Sequence, residues 1–358
     1  MKSSSGATST LRGRSRTRGV LRACRSWAIG IALLACLGAK SLAAAPHTID
    51  AQAQALGYDP ITGLLYAVSA SDGVGPLGDR LIAISPSTET VVASLDIGSG
   101  ATTLAISPDA ARAYVGYLVG RQVRAVDLYT MSPEAPFVVG TTDYVQDLAV
   151  MPGSPDTVAV ALAGGGCGHV AVFHAGVEAA QNAEYACNTI TFGDDPGILY
   201  AFNSYDTSSI LARDAVSTNG VVVDTYLARG LPNFTQSIQA RGGIVYSSSG
   251  VAVDGASLHP LGTYAASGPF AFDDADGVVA YFDGATVRVF DRETFVLLRQ
   301  IPLHLPPFAH VVDASGCGAN CVAAAVDSGQ IVLVKTLADA VFSDGFDGAV
   351  NAWTEERP

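Results

Sequence analysis

Six polar side chains suited to holding a ligand recur along the chain, each two residues before the reference position of an apolar, strand-like segment. They are Gln54, Thr102, Gln146, Asn188, Gln236 and His310, while Pro269 stands at a seventh such position. Amides and hydroxyls orient ligands through hydrogen bonds, but they do not exchange protons near neutral pH. Only His310 could therefore act as an acid or a base. The set predicts ligand binding, and hydration of a polar cavity is the other interpretation.

Motifs typical of catalysis or metal binding are present only in incomplete form. Segment 274–283 resembles a calcium loop, but Phe272 stands where that loop needs its first Asp. His169 and His174 are five residues apart on a predicted strand, so they point to opposite faces and cannot share one ion. The sequence contains no Gly-x-Ser-x-Gly nucleophile elbow. We therefore predict no catalytic residue, no metal site and no cofactor.

Residues 1–43 have the three-part layout of a secretory signal peptide. The stretch contains eight basic residues and no acidic one, an apolar core at 27–39, and a cleavage site at Ser41-Leu42-Ala43. The core is shorter than the roughly 18 apolar residues that a bilayer span needs. We predict export to the periplasm or the cell exterior without a membrane span. A lipoprotein anchored at Cys36 is the alternative.

The composition of the chain excludes two further classes of protein. The part after residue 43 carries 12 basic residues against 33 acidic ones, a charge that repels phosphate backbones, so no nucleic-acid partner is expected. The full chain of 358 residues is 49% hydrophobic and only 15% charged. Intrinsic disorder is excluded, because such a chain can bury enough apolar surface to fold.

Four cysteines follow the predicted signal peptide: Cys167, Cys187, Cys317 and Cys321. An even number in an oxidising compartment predicts two disulfides, for which three connectivities exist. We favour Cys317–Cys321 and Cys167–Cys187, because the first pair closes a short Gly-Ala-Asn loop that lets the two α-carbons lie roughly 5–6 Å apart. A zinc site is disfavoured, since paired C-x-x-C motifs are missing and no histidine lies close to Cys317.

The elements that would position these residues repeat seven times. Each repeat contains two strand-like segments joined by a turn, and the second segments end at Tyr66, Tyr114, Val158, Tyr200, Tyr246, Tyr281 and Val322. Steps of roughly forty residues between period-two segments are typical of β-propeller blades. The sequence therefore predicts an all-β fold, a seven-bladed β-propeller of four-stranded blades over residues 44–338. The seventh blade lacks a fourth strand, which residues 47–51 would supply by pairing with 330–335.

Two details of this architecture bear on the polar residues. The first strand of a propeller blade is innermost, so the six polar side chains would surround one mouth of the central channel. Third strands end on an aspartate in several repeats, where the carboxylate can bond the backbone two residues later and start the next hairpin. The aspartates are Asp127, Asp214, Asp254 and Asp291.

Residues 104–127 carry a family resemblance. They follow the pattern apolar-x-apolar-Ser-Pro-Asp, then Tyr-Val, then Val-x-Val-x-Asp, and so resemble the secreted YVTN-type repeats, which are related to WD-repeat and lactonase-like propellers. The string at 113–116 departs from Tyr-Val-Thr-Asn in its last two places. The resemblance covers residues 47–338 and implies a propeller, a fold that hosts binding proteins, scaffolds and enzymes. Residues 339–358 resemble a short tail of some secreted bacterial proteins.

These observations favour an exported, non-catalytic propeller that binds a protein or small-molecule ligand or acts as a scaffold. Two alternatives come from the resemblance. A lactonase-like hydrolytic propeller would need converging acids and histidines at the channel. A propeller subunit of a quinoprotein dehydrogenase would need a partner chain that carries the cofactor.

Overall fold

The computed structural model describes residues 45–69, 77–140, 143–164, 167–184, 188–204, 209–233 and 235–337. The predicted signal peptide (1–43), the tail (339–358) and Cys187 lie outside these ranges. The domain boundaries at 43 and 338 therefore stay predictions. Within the described residues the secondary structure is all β, with thirty strands and no helix.

The strands form seven antiparallel sheets, the blades. The chain begins with β1 (His47–Asp50) and then forms blade 1, with β2 (Ala53–Asp59), β3 (Leu64–Ser69), β4 (Arg80–Ser85) and β5 (Thr90–Asp96). Blade 2 contains β6 (Ala101–Ile106), β7 (Arg112–Tyr117), β8 (Gln122–Asp127) and the two-residue strands β9 (Ser132–Pro133) and β10 (Phe137–Val138). Blade 3 contains β11 (Tyr144–Val150), β12 (Thr157–Ala163), β13 (Cys167–His174) and the short strands β14 (Val177–Glu178) and β15 (Ala183–Glu184).

The remaining blades have four strands each. Blade 4 contains β16 (Thr189–Phe192), β17 (Ile198–Asn203), β18 (Ile210–Ser217) and β19 (Gly220–Leu227). Blade 5 contains β20 (Ile238–Arg241), β21 (Ile244–Ser247), β22 (Val251–Asp254) and β23 (Pro260–Thr263). Blade 6 contains β24 (Phe270–Asp273), β25 (Val278–Asp283), β26 (Thr286–Asp291) and β27 (Leu297–Pro302). Blade 7 contains β28 (Val311–Gly316), β29 (Val322–Val326), β30 (Gln330–Val334) and, as its outermost strand, β1.

The ring closes through β1. This strand pairs antiparallel with β30, with His47 opposite Leu333 and Asp50 opposite Gln330. Blade 7 is thus built from both ends of the propeller, as the sequence predicts, and its outer edge is covered. The prediction of a seven-bladed propeller closed by an N-terminal strand is confirmed.

The core lies between the blades. Second and third strands carry the most buried side chains, and every residue of β12 is buried. Between blades 7 and 1, for example, Leu65 and Ile82 share an apolar cluster with Ala323 and Leu333. Because both faces of the second strands are covered by neighbouring blades, strands such as β3, β12 and β25 are almost wholly apolar rather than alternating.

Two of the recurrent tyrosines donate a hydrogen bond to the next blade. Tyr114 of β7 donates its hydroxyl to the Pro155 carbonyl in blade 3, with an O–O distance of 2.8 Å. Tyr200 of β17 donates likewise to the Gly255 carbonyl in blade 5, at 3.1 Å. A buried tyrosine hydroxyl needs such an acceptor, and at these two positions the adjacent blade presents a carbonyl.

The predicted aspartate turns form in three of the four cases. Asp127, Asp254 and Asp291 each accept a hydrogen bond from the backbone N–H three residues later, at 2.8 Å, one residue further along than predicted. Asp214 is different, because β18 continues to Ser217 and leaves this residue inside the strand. The prediction that Asp214 starts a hairpin is wrong: its side chain is buried, and neither carboxylate oxygen has a hydrogen-bond partner in the described part of the chain.

Candidate functional site

The seven first strands form the inner wall of the propeller. First strands of consecutive blades contact each other from β2 through β6, β11 and β16 to β20, and again from β24 through β28 back to β2. Between β20 and β24 the side-chain amide of Gln239 donates to the Phe270 carbonyl, at 3.3 Å. A closed inner wall of this kind surrounds a central channel.

A β-bulge recurs at the start of the first strand. In blades 1, 2 and 3 the extra residue is Gln54, Thr102 or Gln146, each lying between two residues whose pairing register shifts. A bulge bends the strand and re-aims the extra side chain. In blades 4 and 5, Asn188 and Gln236 take the corresponding register position ahead of β16 and β20. The structure thus brings five of the six predicted polar residues to the same end of the inner wall, the channel mouth.

Most of these side chains have free hydrogen-bonding groups. Gln54 and Gln236 are exposed, and Thr102 and Gln146 are half-buried. None of these four side chains has a protein partner within the described residues. Asn188 differs, because its Oδ1 accepts a hydrogen bond from the Ser204 N–H at 2.8 Å. The channel mouth therefore presents unpartnered amides and a hydroxyl to solvent.

Blade 7 has a different residue at this position. Its bulge lies between Val311 and Asp313, so Val312 stands at the channel mouth and His310 lies two residues earlier. The His310 N–H donates to Asp327 Oδ1 at 2.8 Å, which holds its backbone at the adjacent hairpin. The hairpin after β28 is shorter than its counterpart in blade 1. Residue spacing along the chain therefore placed the channel-mouth position of blade 7 two residues too early.

Blade 6 shows a similar shift. Pairing of Phe270 with Tyr281 places Gly268, rather than Pro269, at the position of Gln54. Gly268 has a positive φ of 122°, and a Cβ there would lie 2.3 Å from the Phe282 carbonyl oxygen. Only glycine fits that backbone, so this blade contributes no side chain to the channel mouth.

The hairpin after β28 carries the Cys317–Cys321 disulfide, which is therefore confirmed. The two α-carbons lie 5.0 Å apart and both cysteines are buried. The Cys167–Cys187 pair stays a prediction. In support of it, β15 pairs with β13, the strand that contains Cys167, and Glu184 lies opposite His169.

Two acids on the inner wall were missed by the sequence analysis. Asp147 Oδ2 accepts a hydrogen bond from the Ile190 N–H at 2.9 Å, and Asp313 Oδ2 accepts one from the Leu56 N–H at 2.7 Å. Both acids directly follow a bulge residue, and both bonds cross to the first strand of the next blade. Inner strands have no neighbour on their channel side, so these carboxylates satisfy otherwise unpaired N–H groups.

Burial is the main cause of the pKa shifts of the two acids. It raises the pKa of Asp147 to about 6 and that of Asp313 to about 7, although the backbone N–H donors oppose the change. The charge of Asp147 raises the pKa of Asp313 further. The sequence signal was an acid inside an otherwise apolar first strand, one residue after the channel-mouth position.

The acids of the incomplete calcium loop are engaged elsewhere. Asp274 lies 2.7 Å from Arg292 and 3.6 Å from Arg241, and Asp283 lies 3.4 Å from Arg288. Across the described ranges, no three His, Cys, Asp or Glu side chains are grouped as metal ligands would be. In the same ranges, no helix has the length and apolarity needed to cross a bilayer.

Comparison with known proteins supports the fold. No protein-family model matches the sequence, and no curated protein matches it either. Among solved structures, hydrazine synthase from Kuenenia stuttgartiensis superposes with a TM-score of 0.64 and 13% identity, over 81% of this chain and 97% of that chain. The Cps50 (Swd1) β-propeller domain of Myceliophteria thermophila gives a TM-score of 0.64 and 14% identity, over 81% and 98%. The shared feature is the β-propeller fold. Identities this low carry no function across.

Proposed function

We propose that the protein is an exported, non-catalytic β-propeller of the YVTN-type group that binds a ligand at the channel mouth. The observation that carries the proposal is the recurrence of unpartnered polar side chains at one register position of the inner wall. Gln54, Thr102, Gln146 and Gln236 occupy that position in four different blades. Convergent polar groups at a cavity opening are the usual form of a small-molecule site.

The chemistry of the channel mouth favours binding over turnover. Its amides and hydroxyl donate and accept hydrogen bonds without gaining or losing charge. The two acids beneath it already hold backbone N–H groups, since Asp147 accepts from Leu148 at 2.8 Å as well as from Ile190. A carboxylate held in this way stabilises the inner wall, and its oxygens are not free to transfer a proton to or from a substrate.

A lactonase-like hydrolase is the second candidate, because two acids with raised pKa values do lie on the channel wall. Such acids are a common sign of a catalytic site. The quinoprotein-subunit alternative has no comparable observation in its favour. Hydrolysis would require Asp147 or Asp313 to release its backbone partner and meet a substrate instead.

A binding experiment separates these functions. Neutral disaccharides such as maltose and trehalose are suitable probes, because their hydroxyls match the amide groups of the channel mouth. We expect the Q146A/Q236A double variant to weaken disaccharide binding roughly 10- to 100-fold, the loss of one or two hydrogen bonds. The matched control is Q300A, which alters an exposed glutamine on the outer strand β27. Equal affinity in both variants would contradict the channel-mouth site.

Turnover is tested on the same proteins. Lactone and amine substrates are offered to the wild type, H310A and D147N side by side. We expect no substrate to be consumed faster than in buffer. Robust turnover that D147N or H310A abolishes would overturn the non-catalytic proposal and favour the hydrolase.

A further inference from the structure

A second cavity lies between the outer parts of blades 4 and 5. This cleft has a volume of about 640 Å³, within the range of small-molecule sites. It is lined by residues that include Arg229, Leu231, Pro232, Asn233, Val251 and Thr263. These belong to the third and fourth strands of the two blades and to the segment between them, and no first-strand residue takes part. The cleft is therefore separate from the channel mouth.

Residues 230–232, between blades 4 and 5, pack against blade 4 beside the cleft. Leu231 is buried in the apolar cluster of Tyr200 and Leu211. A Cβ on Gly230 would lie 3.2 Å from Leu211 Cβ, so the backbone packs closely against blade 4. Thr235 donates both its N–H and its hydroxyl to the Pro232 carbonyl, at 3.3 and 2.8 Å. A side chain on this segment is thus presented from a fixed backbone, which lowers the entropic cost of binding.

Arg229 is the cation that lines the cleft, and it has no ionic partner among the described residues. The residue is exposed, has a φ of 59°, and contacts no carboxylate or carbonyl partner anywhere in the described chain. Its neighbours in blade 4 behave differently, since Arg213 is ion-paired with Asp224.

The other lining residues indicate which class of ligand the cleft would bind. Pro232 and Val251 offer apolar surface, while Asn233 and Thr263 are neutral hydrogen-bonding groups. A guanidinium matches the two oxygens of a carboxylate in a bidentate pair. Arg229 supplies one positive charge only, and a dianionic phosphate would leave a charge uncompensated in an acidic protein. We propose that the cleft binds a monoanionic carboxylate ligand with a short apolar body.

The test uses three probes of one shape on the full exported chain: phenylacetate, the neutral phenylacetamide and the cationic phenethylamine. Binding is followed by ligand-observed NMR and by amide shifts of the labelled protein. Phenylacetate should bind best and shift Leu231, Val251 and Thr263. We expect R229Q to weaken phenylacetate binding at least tenfold and to leave phenylacetamide unchanged, because only the acid pairs with the guanidinium. R229E should reverse the preference towards phenethylamine.

R299Q is the matched control, because Arg299 is an arginine of blade 6 whose guanidinium donates to the Lys335 carbonyl at 3.4 Å, away from the cleft. It should bind phenylacetate as the wild type does. The proposal is overturned if wild type binds phenylacetate no better than phenylacetamide, if R229Q retains wild-type affinity, or if the shifts fall on the channel mouth instead. Thermal unfolding of each variant should match that of the wild type, because Arg229 is exposed.

Discussion

The carboxylate of Asp313, in the last blade, accepts a hydrogen bond from the backbone N–H of Leu56, in the first blade, at 2.7 Å. The propeller is therefore closed twice. At the outside, β1 and β30 share the blade 7 sheet. At the inside, Asp313 joins β28 to β2 across the same blade boundary. Asp147 repeats the inner bond between blades 3 and 4.

Removal of the Asp313 side chain should loosen the inner closure. In D313A the Leu56 N–H loses its partner within the channel wall, and an unsatisfied buried donor costs about 1–3 kcal/mol. The unfolding midpoint in urea should fall accordingly at pH 5, where the raised pKa keeps buried Asp313 protonated and the variant relieves no buried charge. The matched control is T191A, which removes a longer bond between neighbouring first strands, from the Ala240 N–H to Thr191 Oγ1, at 3.3 Å. A smaller loss is expected there, and equal losses in the two variants would argue against a special role for the blade 7 to blade 1 bond.

Deletion of residues 44–52 should destabilise the outer closure. Without β1, the edge of β30 is exposed and Ile49 no longer packs against the cluster of blades 7 and 1. We expect a lower melting temperature for the whole propeller and faster hydrogen exchange in residues 330–334. An unchanged melting temperature would show that Asp313 and the core hold the ring without β1.

The sequence predicted the fold well because every blade repeats the same physical constraints. Strands such as β4, β8 and β26 begin and end where their β-branched runs predict. The outer strands of blades 2 and 3 were not predicted, since each is broken into two strands of two residues. Segments so short leave no periodicity to detect.

The candidate site was predicted less completely. A ring of channel-mouth residues can be predicted from spacing along the chain only if every blade has a hairpin of the same length. The disulfide hairpin at 317–321 does not have that length. His310 was therefore assigned to a position that Val312 occupies. The inner-wall roles of Asp147 and Asp313 depend on contacts between blades, which sequence spacing does not encode.

The two disulfides can be tested by peptide mapping and by unfolding. Non-reducing mapping should find Cys317 linked to Cys321 and Cys167 linked to Cys187. The C317S/C321S variant should lose about 2 kcal/mol, a low value because a short loop restricts the unfolded chain little. The C167S/C187S variant should lose more, since its loop is longer. Free thiols at Cys167 and Cys187 in the exported protein would refute the second pair.

Asp214 should make the protein less stable as the pH rises. Its register partner is Leu199, and the corresponding position in five other blades is apolar: Ile84, Val126, Phe173, Val253 and Phe290. Burial raises its pKa to about 7, with a further contribution from the charge of Asp224. The ordinary value for an aspartate in an unfolded chain is about 3.9.

The sign of the effect follows from these two pKa values. Below about pH 4 the side chain is protonated in both states, and the buried acid carries no charge penalty. Between about pH 4 and 7 the folded state holds a proton that the unfolded state releases, so stability falls as the pH rises. The D214V variant, which copies Val126 of blade 2, should therefore be more stable than wild type by about 2–4 kcal/mol at pH 8, and the gain should shrink at pH 5.

Urea unfolding of both proteins at pH 5 and pH 8 measures that difference. Asp147 and Asp313 also have raised pKa values, but both proteins contain them, so the difference between the proteins reports Asp214 alone. D291N is the matched control: hydrogen bonds from Thr294 hold the pKa of Asp291 below its ordinary value, so this acid stays ionised from pH 5 to pH 8. The control should leave the difference between the two pH values as in wild type. If the free energy of unfolding of D214V depends on pH as that of the wild type does, Asp214 must be ionised in the folded state and paired with another group.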